Sequence, residues 1–313
     1  MQRHCLRSSS PCVIGRYKMK RLLTVFIMLV VALPVHAHNG IAVPEDVWSH
    51  WDLNPTILIA LLLPTYLYGR GALGYHVSAG RSVAFLGGMG TLFVALMSPL
   101  DAMSGALFSA HMGQHLLLIL VAAPLLVWSH PLPSLLRGLP ANSNRVFGKL
   151  ARVPLARTLW HNLTQPMNAL VLHIAAIALW HVPLFYSAAF QYPIVHLLEH
   201  ASFFLSAALF WWVIRQNAAL GTRVFAIFTV MMVSGLLGAL MTFASSAWYP
   251  DHVQSAALWG LTALEDQRLA GLLMWIPSGL VYVGFAAVIL VLWLETQEQR
   301  NTVLQIEGVS DAP

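Results

Sequence analysis

Cysteine and charge are what this chain has least of. Its 313 residues include two cysteines, Cys5 and Cys12, both close to the N-terminus. Beyond them Met19-Lys20-Arg21 leads into the apolar run Leu22 to Leu33 and closes on the small-x-small pattern Val35-His36-Ala37, which reads as a cleavable signal peptide. Residues 1–18 read as an upstream extension, and a mature chain starting at about His38 contains no cysteine. That excludes disulfides, thiolate metal sites and cysteine nucleophiles. Charged residues make up only 9% of the chain, against 58% apolar and a mean hydropathy of +0.69. A soluble domain is about a quarter charged, so there is too little polar surface here to coat one. The bulk of the surface faces the lipid bilayer. The formal charge of +5 does not point to nucleic acid, because no basic stripe is interleaved with aromatics on a polar segment. Internal repeats and low-complexity tracts are also missing.

What is present is a series of apolar runs. A bilayer core needs roughly 20 residues of helix, and seven stretches qualify after the signal: about 55–69, 81–98, 108–128, 166–184, 193–214, 223–244 and 269–294. The fold expected is therefore all-α, a polytopic bundle of seven transmembrane helices over 55–294, with a polar insertion at 129–165. An extracytoplasmic segment, 38–54, precedes it and a tail, 295–313, follows. With the mature N-terminus outside, the inner segments hold Arg70, Arg81, Arg137, Arg145, Lys149, Arg152, Arg157, Arg215, Arg223 and Arg300, and the outer ones hold Arg268 alone. The positive-inside rule then places the C-terminus in the cytoplasm. Trp48, Trp51, Trp128, Trp180, Trp248 and Trp259 fall near the span boundaries, where interfacial anchors belong.

On that topology the histidines collect on one side. His111 and His115 open the third span, His181 closes the fourth, His196 and His200 open the fifth, and His252 lies in the last outer loop. Asp101 and Asp266 flank helix ends on the same side, and Met103, Met112, Met241 and Met274 lie at similar depth. His76, His130 and His161 fall on the opposite side, and His173 is near mid-membrane. Ionisable groups within a membrane are functional candidates by default. His111-x-x-x-His115 and His196-x-x-x-His200 each put two imidazoles on one helix face, a standard way to offer two nitrogens to one metal. Glu199 can support a ligand's second nitrogen or supply an oxygen. Imidazole suits copper, zinc, iron and nickel, and thioether sulfur favours Cu(I). Histidine mixed with methionine on an oxidising face thus points first to copper. The metal ligands expected are His111, His115, His181, His196 and His200, with Asp101, Met112, Glu199, His252, Asp266 and Met274 in support or as further ligands. Each also has a plainer reading: a polar network joining the third and fifth spans, capping by Asp101 and Asp266, packing by the methionines, and an interhelical hydrogen bond for His173.

Ser98-Pro99-Leu100-Asp101, Ser109-Ala110-His111-Met112 with Gln114-His115, Trp180-His181-x-Pro183, His196-x-x-Glu199-His200, and Asp266-Gln267 with Ala270-Gly271-Leu272 to Trp275 resemble the signature blocks of the CtaG-type cytochrome c oxidase assembly factors. The resemblance covers about residues 81–294. It implies a multi-pass protein of the bacterial inner (plasma) membrane that is not an enzyme but serves oxidase maturation by binding and delivering copper. Cytochrome c oxidase subunits and a periplasmic copper chaperone are the partners it suggests. Many relatives carry an acidic residue after Tyr186, where Ser187 stands here, so this turn offers no carboxylate of its own. A bis-histidine haem redox protein, a metal transporter and a structural scaffold stay open as other readings. Spacing of four within each pair favours one compact site over two stacked haems, whose irons need about 10 or more residues of rise between them.

Overall fold

The computed structural model describes residues 42–74, 76–140, 152–216 and 219–310, with side chains to residue 299. The signal peptide, its upstream extension, Arg145 and Lys149 lie outside the described residues. Among the described residues every regular element is helical. In chain order these are α1 (Pro55–Ala72), α2 (Ala79–Met97), α3 (Pro99–Ala106), α4 (Phe108–Ser129), α5 (Leu132–Gly138), α6 (Pro154–Leu163), α7 (Pro166–Trp180), α8 (Pro183–Gln191), α9 (Pro193–Gln216), α10 (Leu220–Thr242), α11 (Val253–Leu258) and α12 (Ala263–Ser310).

Local chemistry explains most of these boundaries. α1, α3, α6, α7, α8 and α9 all open on proline, whose fixed φ suits a first helical position and whose missing N–H costs nothing there. The Asn54 side chain caps α1 by accepting from Thr56 N at 2.9 Å, and Ser98 Oγ caps α3 by accepting from Leu100 N at 3.2 Å. A reciprocal capping box starts α12: Glu265 N donates to Thr262 Oγ1 at 3.2 Å while Thr262 N donates to Glu265 Oε2 at 2.8 Å. α4 widens into a π-helical turn over Leu117–Ala122. Pro124 follows at once; it cannot donate to the carbonyl four residues back, and its ring crowds that carbonyl. One carbonyl in the widened turn, Ile119 O, accepts from the Trp211 indole at 2.9 Å.

By length and composition five helices can cross a membrane: α2, α4, α9, α10 and the Ala263–Gln299 part of α12. The count rises to six if α6 and α7, bent by 76° at their junction, form one span. The expected seven stretches are all helical, but α7 has 15 residues and α1 is interrupted by Pro64 and diluted by Gly69, Arg70 and Gly71. Apolar side chains point outward along these helices, among them Leu86, Val94, Val171, Leu236, Leu280, Val283 and Val291. α6 buries no residue and carries Leu155, Leu159 and Leu163 exposed along one stripe, the pattern of a helix lying in an interface.

Two close approaches fix the packing. A Cβ at Gly71 would collide with Ser134 O and one at Gly138 with Leu67 O, so α1 and α5 touch backbone to backbone. A Cβ at Gly238 would lie 2.7 Å from Gly271 O, and one at Gly271 only 2.5 Å from Gly238 O, which seats α10 against α12. The start of α1 is tied to the end of α2 by Asp52 N donating to Met97 O at 3.1 Å. The core runs through the middle of the bundle around Phe85, Leu118, Phe203, Phe210, Trp211, Ile227 and Tyr282.

Candidate metal centre

α4 and α9 both start at one end of the bundle, where α7 and α10 finish and α12 begins. Helical spacing places His111 and His115 on one face of α4 and His196, Glu199 and His200 on one face of α9. The two faces meet. His111, His115, Glu199 and His200 each bring a donor atom to a group in which all four lie within 4.8 Å of one another, and all four residues are buried. The imidazole of His111 lies 4.3 Å from that of His115, and His115 5.0 Å from His200, between ring centres.

Glu199 decides what this group can do. It is completely buried, and among the described residues neither carboxylate oxygen has a hydrogen-bond partner. Oε2 lies 3.5 Å from His111 Nε2 and Oε1 lies 3.8 Å from His115 Nε2. These separations are longer than good charge-assisted hydrogen bonds, at about 2.7–2.9 Å. Two ligands each about 2.1 Å from a tetrahedral ion stand about 3.4 Å apart. A buried carboxylate is stabilised by pairing or by a metal, and the spacing here suits a cation shared between oxygen and imidazole. Among the same residues neither ring nitrogen of His115 has a hydrogen-bond partner. Packing against the Phe203 ring, 4.5 Å away, orients it.

Surrounding polar groups hold α4 in place. Asp266, fully buried at the start of α12, accepts from Phe108 N at 2.6 Å and Ser109 N at 3.0 Å. Leu107, which precedes α4, has no side chain able to cap it, so a carboxylate from another helix does so and also suits the dipole. Gln114, between the two α4 histidines, donates to Ala95 O at 2.6 Å and to Asp101 Oδ1 at 2.8 Å. That bond fixes the rotation of α4 about its axis. Asp101 and Asp266 thus position the helix that carries His111 and His115 and do not join the four-residue group.

The remaining expected residues are dispersed around it. His196 sits half-buried at the rim, its ring 4.1 Å from that of His200 and 5.4 Å from that of His111. His181, at the end of α7, is turned toward Met274, with Nε2 3.2 Å from Sδ. Met112 is buried and lines a cavity beneath the group, whereas Met241 packs with Phe108, Tyr186 and Tyr249, and Met103 beside Leu107 and Ala110. His252 shares a hydrogen bond with the Tyr186 hydroxyl at 2.5 Å. Burial, and after it the charge of His111, lowers the His252 imidazole to about 4, so it stays neutral. His173 shares a hydrogen bond with Ser206 on α9 at 3.0 Å, as an interhelical partner would.

Residues overlooked in the sequence close the site from above. Phe108 stacks on Tyr249 at 4.3 Å and meets Tyr186 edge-on at 5.0 Å, and Tyr186 in turn lies 5.3 Å from the His111 ring. The Tyr249 hydroxyl donates to His181 O at 2.8 Å; burial, then the Glu199 charge, raise this phenol, which keeps it a donor. Ser187 Oγ donates to Asp251 Oδ2 at 2.6 Å, so a carboxylate reaches the turn after Tyr186 from a different loop. Polar or phenolic side chains inside apolar helices were the available signal for Gln114 and Tyr186, but their partners are far away in sequence.

No solved structure matches this chain. Uncharacterised proteins of Mycobacterium bovis and Mycobacterium tuberculosis are each 28% identical to it over 255 residues, covering 75% of this chain but 37% of their own length. The chain therefore spans little more than a third of these curated relatives. A family model described as cytochrome c oxidase caa3 assembly factor matches residues 65–296, which takes in the whole four-residue group and its supports. With nearly all of the helical domain inside that match, this chain belongs to the cytochrome c oxidase caa3 assembly factor family.

Proposed function

We propose that the protein is a membrane assembly factor that binds a copper ion through His111, His115, Glu199 and His200 and delivers it to a haem-copper oxidase. The observation that carries this is the buried Glu199 carboxylate, without a hydrogen bond and 3.5–3.8 Å from two imidazole nitrogens. Family membership supplies the oxidase. The chemistry is ligand exchange without catalysis: His196 at the rim takes the ion from a donor such as a periplasmic chaperone, and the buried group retains it until the oxidase subunit docks.

The topology we favour has seven spans with the metal group at the extracytoplasmic face of the inner membrane. α1 supports it, starting beside Met97 at one end of α2 and packing on Ser134 at the other end of the bundle. It therefore covers the full height, about 27 Å at 1.5 Å per residue. α7, about 22 Å long at 1.5 Å per residue, runs along α9, with Trp180 bonded to Ser202 and Ala169 packed with Trp212 and Val213. The described basic residues Arg70, Arg137, Arg157 and Arg215 lie at the end opposite the metal group, which the positive-inside rule makes cytoplasmic.

Purified wild-type protein should hold copper, and His111→Ala and His200→Ala should lose it together with oxidase activity in cells carrying them. Full copper content and full oxidase activity in both variants would overturn the proposal. A haem reading fits less well. The imidazoles of His111, His115 and His200 crowd within 4.3–5.8 Å of one another, and the adjoining cavity, about 20 Å³, has room for about one water and none for a macrocycle. A Soret band in the purified protein would reverse that preference.

A further inference from the structure

His181 and Met274 lie beneath the four-residue group and are not part of it. His181 Nδ1 is 2.7 Å from Ile177 O. A carbonyl oxygen can only accept, so Nδ1 carries the ring hydrogen and Nε2 presents its lone pair. That lone pair faces Met274 Sδ at 3.2 Å, and a thioether has no hydrogen to give. Two acceptors are held together without a proton between them, and both residues are buried.

We propose that His181 and Met274 form a second metal site, chemically distinct from the one above it, for a soft monovalent d10 cation such as Cu(I). Bonds of about 2.0 Å to nitrogen and 2.3 Å to sulfur span the 3.2 Å gap at an angle of roughly 95°, so one ion satisfies both lone pairs with little movement. The two side chains face a cavity of about 20 Å³ that Met112, His115, Ser234 and Ser278 also line. It is large enough for one atom-sized occupant, and it brings a second thioether within the same walls. None of the residues lining it is acidic. A neutral nitrogen and sulfur set favours a soft, singly charged ion, whereas the upper group carries the Glu199 carboxylate. His115 belongs to both, since its Nε2 faces Glu199 and its ring lines the lower cavity. An ion can pass between the two positions by exchanging partners at that one residue. The lower site stands on its own ligands and does not require the upper group to bind.

The test uses the full chain purified in detergent, reduced and without oxygen, titrated with Cu(I) and, as a redox-inert probe, Ag(I). X-ray absorption of the Cu(I)-loaded protein should show a sulfur neighbour at about 2.3 Å. The sulfur signal should vanish in Met274→Leu and in His181→Gln, and Ag(I) affinity should fall by at least about 30-fold in each. Glu199→Gln should keep the sulfur signal, which separates failure at the upper group from failure here. Leucine replaces methionine at nearly constant volume. Should either variant nevertheless misfold, the wild-type spectrum still decides. Absence of a sulfur neighbour in wild type, or Ag(I) binding in Met274→Leu as tight as in wild type, overturns the proposal.

Discussion

Replacing Glu199 by glutamine changes metal binding and apoprotein stability in different directions, which makes it the sharpest single test of the upper group. The substitution keeps the side chain's shape and removes its charge. Even with full water screening, a carboxylate about 2.1 Å from a divalent ion gains about 4 kcal/mol from Coulomb attraction, and from a monovalent ion about 2 kcal/mol. Loss of affinity should therefore be at least about 10³-fold for a divalent ion and about 30-fold for Cu(I). The ratio of the two losses reports the charge of the bound ion. Without metal the expectation reverses, because among the described residues no hydrogen bond reaches either oxygen of the buried Glu199. Glutamine keeps the shape and adds an amide N–H that the neighbouring His111 and His115 nitrogens can accept, a gain of about 1 kcal/mol, so the apo variant should be at least as stable as apo wild type. Chelator-competition titrations with Cu(I) and Zn(II) measure the first effect, and thermal unfolding in detergent with and without metal measures the second. Equal affinities in wild type and variant would refute the reasoning, as would an apo variant that unfolds earlier than apo wild type.

Asp266→Ala removes the side-chain acceptor of Phe108 N and Ser109 N and should cost about 3 kcal/mol in unfolding experiments, since each orphaned buried donor costs about 1–3 kcal/mol. Metal affinity should fall with it, because α4 loses its anchor although no ligand has changed. Gly71→Ala and Gly138→Ala have backbone in the way of the new methyl group and should separate α1 from α5, raising protease sensitivity near residues 67–74 and leaving metal content intact. For His252, whose imidazole is lowered to about 4 by burial, the unfolded chain takes up the proton first, at an ordinary value near 6.5. Its contribution is complete above about pH 6.5 and is lost as pH falls toward 4, by up to about 3 kcal/mol. His252→Gln should flatten that part of the pH-stability profile.

The membrane class and the helices were legible because they depend on local averages. Low charge, apolar runs and initial prolines act through neighbouring residues, and the structure has a helix at each expected stretch. Span count was less legible: α1 and α7 are short or diluted, so length and composition give five spans or six, and the contacts of α1 and α7 with Met97, Ser134, Ser202 and Trp212 that bear on a seventh are not local. The histidine pairs were visible for a similar reason to the helices, since four-residue spacing fixes a shared face. Which members of the expected ligand set converge was not. His196 and His200 share a face of α9, yet one lies at the rim and the other inside, because helix ends expose their first turn.

Sequence alone determined that this is a helical membrane chain with imidazoles, carboxylates and thioethers gathered at one end, because composition and periodicity are properties of the chain itself. Tertiary structure decided the rest. It assigned Glu199 to the imidazole group and Asp101 and Asp266 to holding α4, and it set His181 against Met274 in a layer of its own. Those roles depend on distances between side chains on different helices, and such distances are set by backbone approaches like Gly238 on Gly271 that no spacing along the chain encodes.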